Sequence, residues 1–198
     1  MLGVLVALMG LARAPMLDVA AGWAGLQVAH ATVHPAFWIY FAGAFVCGVA
    51  AWAKFRWMPH LGVLACAAAL AATLTLDAPA PVALLFLVMI GFIAFIVSVY
   101  SLGYMAHAHR QGWYWFFLLL TFSSLAGIVS TPDMAAMYGY WELMTFASYF
   151  LVVHEANRVA FDAGFKYYLM CAGGALLMLP GMLLLGNGGL GLADVRIQ

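Results

Sequence analysis

The chain has 198 residues, of which 68% are hydrophobic and only 7% are charged, and its seven Lys or Arg residues balance seven Asp or Glu residues. A soluble globular domain has about 25% charged residues and about half apolar ones. The composition therefore excludes a soluble domain and predicts an all-α polytopic membrane protein, and the balanced charge gives no indication of a nucleic-acid partner.

Residues 1–35 form an N-terminal extension that the sequence leaves open. Its first twelve residues are apolar but too short to span a membrane, and the following stretch is mixed, with Arg13 and Asp18 five residues apart. It forms either an extra, kinked transmembrane helix or an interfacial helix that lies on the outer face of the membrane.

Six apolar runs follow, separated by segments that carry turn or charge signals. Each run is close to the length of about 20 residues that a transmembrane helix needs. The runs cover residues 36–53, 61–76, 82–105, 113–130, 134–153 and 165–186. We therefore predict about six to seven transmembrane helices.

The positive charges predict how these helices are oriented. They occur in the first, third and fifth connections, whereas the second and fourth carry only Asp77 and Asp133. The cations are Lys54, Arg56, Arg110 and Arg158. Because Lys and Arg are enriched in cytoplasmic connections, we expect the odd-numbered connections to face the cytoplasm.

One carboxylate, Glu142, interrupts the fifth apolar run about eight residues from its start, roughly 12 Å into a hydrocarbon core of about 30 Å. An ionised acid at this depth is costly unless it is paired, hydrated or protonated. Glu142 is therefore either a proton-holding site or the partner of a buried cation. The alternative is a hydrogen bond that packs helices.

Lys166, near the start of the sixth run, is the obvious cation, although it lies lower in an antiparallel pair than Glu142 and can instead extend to the interface. Thr145 and Tyr149 follow Glu142 on the same helical face, and Ser123 lies on the fourth run. Such hydroxyl groups can hold water near an acid, but they also commonly satisfy helix backbones.

Four stretches, in this order and spacing, resemble the proton-conducting, antiporter-like membrane subunits of respiratory complex I, of membrane-bound hydrogenases, of formate hydrogenlyase and of Mrp-type antiporters. The stretches are YSLGYM at 100–105, YWFFLLLTFSSLAGIVS at 114–130, YGYWELMTFASYFLVVHE at 138–155 and FKYYLMCAGGALLMLPGMLLL at 165–185. The resemblance covers residues 82–190 and implies antiporter-like core helices there. It makes 36–81 two peripheral helices and 191–198 a C-terminal tail.

The resemblance implies a role for two positions. Glu142 matches the essential glutamate of the family's fifth helix, and Lys166 matches the basic residue that begins its sixth. The family's principal lysine lies on a seventh helix, and this sequence reaches Gln198 before it. We therefore expect other membrane subunits of a hetero-oligomeric complex as partners, including a chain that supplies the second half.

The six histidines lie in or beside connections, and we interpret them as interfacial polar residues; a metal at His30 and His34, or a haem, is the alternative. Tryptophan and tyrosine residues flank the runs as an interfacial belt, with a quinone or pigment site as the alternative. The three cysteines indicate packing. We predict no cofactor, no metal site and no redox or nucleophilic chemistry in this chain.

The favoured function is therefore a non-redox membrane subunit of a complex I-like or hydrogenase-like energy-converting complex, in a bacterial plasma membrane or an equivalent one. Glu142, Lys166, Tyr149, Thr145 and Ser123 would form part of its proton or cation path. The alternatives are a non-pumping scaffold subunit that anchors or seals a larger complex, and a small independent transporter.

Overall fold

The computed structural model describes residues 33–53, 57–76, 80–107, 110–131 and 134–185, and the regular structure in these ranges is entirely helical. The described residues form six α-helices. They are Pro35–Trp52 (α1), Met58–Thr75 (α2), Pro81–Tyr104 (α3), Gln111–Ser130 (α4), Met134–Val152 (α5) and Arg158–Leu185 (α6), with a 3-10 helix over Met105–His107. The prediction of an all-α membrane protein is confirmed.

Four of the described helices, α1 to α4, are long and apolar enough to cross a membrane, which is fewer than the six to seven transmembrane helices predicted. α5 and α6 contain 19 and 28 residues, so they are about 28 Å and 42 Å long. That both of them cross the membrane stays a prediction. The predicted N-terminal helix and the tail at 191–198 lie outside the described residues.

Three of the helices have a proline in their first turn. Proline is well suited to this position because the amide that it lacks would have no partner within the helix. Pro35 and Pro81 begin α1 and α3, and Pro59 is the second residue of α2. α6 begins at Arg158, seven residues before the predicted 165, because Asn157 Oδ1 accepts the Ala160 amide at 2.7 Å and so provides a cap.

α4 lies at the centre of the bundle, where it packs against α1, α2, α3 and α5. Eleven of its 20 residues are buried, and Trp115 and Leu119 are fully enclosed. α1 also packs on α2, α2 packs on α3, and α6 packs on α5 at one side of the bundle. α5 therefore has the core on one side and α6 on the other.

Two glycines permit the closest helix contacts. A Cβ atom at Gly62 would lie 2.3 Å from the Trp115 ring, and one at Gly127 would lie 2.8 Å from the Tyr140 ring. No side chain fits at either distance, so glycine is what lets α2 and α5 approach α4. The second contact fixes where α5, and with it the acidic residue in its middle, lies against the core.

Candidate functional site

A row of polar side chains runs along one face of α5. Tyr138, Glu142, Thr145 and Tyr149 are spaced by four, three and four residues, which places them on successive turns. Glu142 is half-buried, and the Tyr138 hydroxyl donates a hydrogen bond to its Oε1 atom at 3.0 Å. Tyr138 therefore satisfies one oxygen atom of the Glu142 carboxyl group from within the same helix.

The Thr145 hydroxyl differs from most buried hydroxyl groups of the described residues and shares its lack of a partner with the Tyr40 hydroxyl of α1. Thr145 is only 2% exposed, and its Oγ1 atom has no hydrogen-bond partner among the residues that the structure describes. By contrast, Thr73 and Ser124 donate to the carbonyl groups of Leu70 and Leu120, at 2.7 Å and 2.8 Å. Since a buried hydroxyl without a partner is costly, Thr145 is a place where a water molecule would be held.

Polar and aromatic contacts join α5 to α6 further along the row. The hydroxyl groups of Ser148 and Tyr167 are 2.8 Å apart, and the rings of Tyr149 and Tyr168 lie 5.7 Å apart at 66°. Gly164 permits this approach, since a Cβ atom there would lie 2.3 Å from the Val153 side chain. The row on α5 therefore continues onto α6 at this height.

Two contacts fix the register of the antiparallel pair. Ser148 meets Tyr167 near the connection, and Tyr138, at the other end, belongs to a buried cluster with Ala175 and Met182. Any α5 residue between Tyr138 and Ser148 therefore faces the part of α6 between Tyr167 and Met182.

Glu142 is accordingly level with residues 173–174 of α6, whereas Lys166 is level with Tyr149. Seven to eight residues of helix separate these two heights, which is about 10–12 Å. Lys166 is exposed, and within the described ranges no carboxylate, Glu142 included, lies at ion-pair distance from it. Residues 173–174 are two glycines, and a Cβ atom on either would have open space around it.

Ser123 lies on a different side of α4. It is fully buried, and its hydroxyl donates to the Phe37 carbonyl at 3.1 Å, which links α4 to α1. The structure thus brings together Glu142, Thr145 and Tyr149, and it places Lys166 and Ser123 apart from them.

Sequence reasoning missed Ser148 and Tyr167, the pair that connects the two helices. Ser148 lies three residues after Thr145, and Tyr167 directly follows Lys166. The adjacent tyrosines at 167–168 were the available signal, but their partners depend on the α5–α6 register.

His34 precedes α1 and caps it, because its Nδ1 atom accepts the Ala36 amide at 3.2 Å. Burial lowers the pKa of His34. The other residue of the alternative metal pair, His30, lies outside the described residues. Among the residues that are described, no three His, Cys, Asp or Glu side chains are grouped closely enough to hold a metal ion.

Comparison with known proteins shows that the chain is similar to subunits of membrane complexes. A family model described as the N-terminus of NADH-ubiquinone oxidoreductase (complex I) chain 5 matches residues 70–117, from the end of α2 into α4. Na(+)/H(+) antiporter subunit A1 of Staphylococcus aureus, in strains JH9 and Newman, is 32% identical to this chain over 131 residues. The aligned part is 66% of this chain and 15% of the relative, so the chain spans a small part of the relatives' length.

A solved structure shares the fold. It is a chain of the membrane-bound sulfane sulfur reductase, an archaeal respiratory membrane complex, with a TM-score of 0.66 and 16% identity. The match covers 76% of this chain and 36% of that one. At this identity the similarity concerns the arrangement of the helices.

Proposed function

Because the chain belongs to the antiporter-like family of membrane subunits, we propose that it contributes part of a proton or cation path in a complex I-like or hydrogenase-like energy-converting complex. The path would use Glu142, Lys166 and water held by hydroxyl groups between them. The membrane would be a bacterial plasma membrane or an equivalent energy-converting membrane.

The observation that carries this proposal concerns three side chains on one face of α5. The half-buried carboxyl group of Glu142 accepts a hydrogen bond from one hydroxyl group, and one turn away lies a buried hydroxyl group that has no partner among the described residues. Tyr138 satisfies one oxygen of Glu142, and Thr145 lies three residues further on. The buried Tyr40 hydroxyl of α1 also lacks a partner, and Thr145 differs from it in lying one turn from a carboxyl group with which it can share water. Groups that share water can accept and pass on a proton.

The proton would move along α5 as follows. Glu142 takes a proton from water at Thr145 and returns it on the other side, while Tyr138 holds the carboxylate between these steps. Tyr149 and the Ser148–Tyr167 pair extend the row towards Lys166. Ser123 would take part only by exchanging its bond to Phe37 for one to water.

Other membrane subunits are the proposed partners, and α6 is the surface that they would cover. Among the described helices α6 packs mainly on α5, and Met170 and Leu177 are 81% and 80% exposed. The glycines at 173–174, at the height of Glu142, have open space around them. Helices outside these 198 residues, from a second subunit or from further sequence of the same protein, would therefore complete the path here.

A photo-crosslinker at Leu177 tests the covered face in the complex purified from native membranes. We expect it to label protein, and the same group at Leu85 of α3, which is 69% exposed, to label mainly lipid. Labelling of lipid alone at Leu177 would contradict the proposed partner face.

Glu142→Gln tests the path itself. The purified complex is reconstituted in vesicles with a pH-sensitive dye inside, and proton movement is measured during turnover. We expect at least a tenfold loss in Glu142→Gln and little change in Glu155→Gln, which alters an exposed acid in the connection after α5. Subunit content is measured in both variants, since a loss of assembly must be separated from a loss of transport.

The alternative is a non-pumping scaffold subunit, and the placement of Lys166 favours it. Lys166 is exposed and about 10–12 Å from the height of Glu142, so the two residues form no direct couple among the described helices. Full transport in Glu142→Gln, with normal assembly, would establish the scaffold function instead.

A further inference from the structure

A groove lies at the end of the bundle where α1 ends and α4 begins. Its volume is about 580 Å³, within the usual range for sites that hold an organic ligand. Side chains of both helices line it, namely Phe45, Val49 and Trp52 of α1, Trp113 and Phe116 of α4, and Arg110 immediately before α4.

The tryptophans place the groove at the boundary between headgroups and acyl chains. Trp52 is 88% exposed and Trp113 is 62% exposed, and both lie within three residues of a helix end. Trp is enriched at this level of a membrane because its ring is apolar and its N–H is polar. The groove therefore opens to lipid on one side and to the headgroup layer at its end.

Arg110 gives this end of the groove a positive charge. Its side chain is exposed, and no carboxylate in the described ranges forms an ion pair with it. In the sequence, the connection between α1 and α2 also contains two basic residues, Lys54 and Arg56. An anionic group is the complementary ligand.

The shape of the groove is built by close contacts. A Cβ atom at Gly48 would lie 3.1 Å from the Phe116 ring, so α1 and α4 are in close contact where these two residues line the groove. The rings of Phe45 and Phe116 meet edge to face at 5.8 Å and form one wall. Because the surrounding hydrocarbon is as apolar as the groove, only its shape and its charge can select an occupant.

We propose that this groove binds an anionic phospholipid, with the phosphate on Arg110 and an acyl chain between the aromatic walls. The lipid seals α1 against α4 and is independent of the ion path. A basic residue near a membrane surface contributes about 1 kcal/mol to the binding of an anionic lipid, which is about fivefold in affinity. The headgroup preference should be of this size.

Native mass spectrometry of the purified complex tests the site, with phosphatidylglycerol or phosphatidylcholine of identical acyl chains added after delipidation. We expect tighter binding of phosphatidylglycerol, about fivefold weaker binding in Arg110→Gln, and no bound lipid at this site in Val49→Trp, which fills the groove. Arg158→Gln and Leu85→Trp are the matched controls, since both positions are exposed and lie on other helices.

Each result bears directly on the site. Unchanged retention of phosphatidylglycerol in both Arg110→Gln and Val49→Trp would overturn the proposal, as would equal binding of the two lipids by the unaltered complex. Crosslinking of a group at Val49 to another protein chain would overturn it as well, because the groove would then be a subunit interface. Thermal melting of each variant identifies any that has lost its fold.

Discussion

Replacing Thr145 with Val distinguishes a hydrated path from a static cluster, because it removes a hydroxyl group and keeps the shape. Thr145 is 2% exposed, and its hydroxyl has no partner among the described residues. If the hydroxyl is dry, it contributes an unsatisfied buried group, and such a group costs about 1–3 kcal/mol. Thr145→Val would then stabilise the protein by about that amount and leave transport unchanged.

If the hydroxyl instead holds a water molecule that also contacts Glu142, we expect Thr145→Val to lower both the stability and the proton transport. The variant loses a satisfied hydrogen bond, and within membranes such bonds contribute about 0.6 kcal/mol on average. We therefore expect a slightly lower thermal midpoint. Proton transport should fall together with it, because the water that connects the row on α5 loses one of its ligands.

The assay compares thermal unfolding and vesicle proton transport for Thr145→Val and Thr73→Val. Thr73 is the matched control, since it is 1% exposed on α2 but donates to the Leu70 carbonyl at 2.7 Å. Its replacement should lower stability slightly and leave transport intact. A Thr145→Val complex that is more stable and fully active would refute the hydrated path.

Three further changes have definite expected outcomes. Gly62→Ala places a methyl group against the Trp115 ring, and overpacking of this kind costs about 1–3 kcal/mol, to be read as a lower thermal midpoint. Since burial lowers the pKa of His34 from its ordinary 6.5, the unfolded chain binds its proton first on acidification. The free energy of unfolding should therefore fall as the pH drops below about 6.5, and His34→Gln should reduce this dependence in thermal melts at several pH values. Tyr167→Phe removes the bond to Ser148 and should loosen α6 from α5 by about 0.6 kcal/mol, seen as faster exchange of amide hydrogens in α6.

Much of the helical fold could be predicted from the sequence, because prolines and charged connections divide the apolar runs. The first five predicted runs differ from α1 to α5 by at most three residues at either end. The start of α6 was missed because residues 158–164 are too polar for an apolar run, although Asn157 caps them. Apolar length identifies the part of a helix that suits hydrocarbon, and this part can be shorter than the helix.

The contacts between helices could not be predicted in the same way. Gly62 and Gly127 look like any other small residue in the sequence, and their role follows from the rings of Trp115 and Tyr140 on neighbouring helices. The face of α5 that carries Glu142 could be predicted, since it depends only on the helical period. The hydroxyl groups that face it from α6 depend on the register, which the sequence of one chain does not contain.

The height of Lys166 decides what it can do for Glu142. At about 12 Å and an effective dielectric of about 20, two unit charges interact by about 1.4 kcal/mol, and the exposure of Lys166 reduces this further. The Tyr138 hydroxyl, at 3.0 Å from the carboxylate, makes a hydrogen bond of a kind that contributes about 1.5–3 kcal/mol. Tyr138 is therefore the stronger partner of Glu142 within the described helices, and the attraction to Lys166 is weaker. A cation that forms an ion pair with Glu142 must come closer, from the helices that we expect to pack on α6, where the glycines at 173–174 leave open space at the same height.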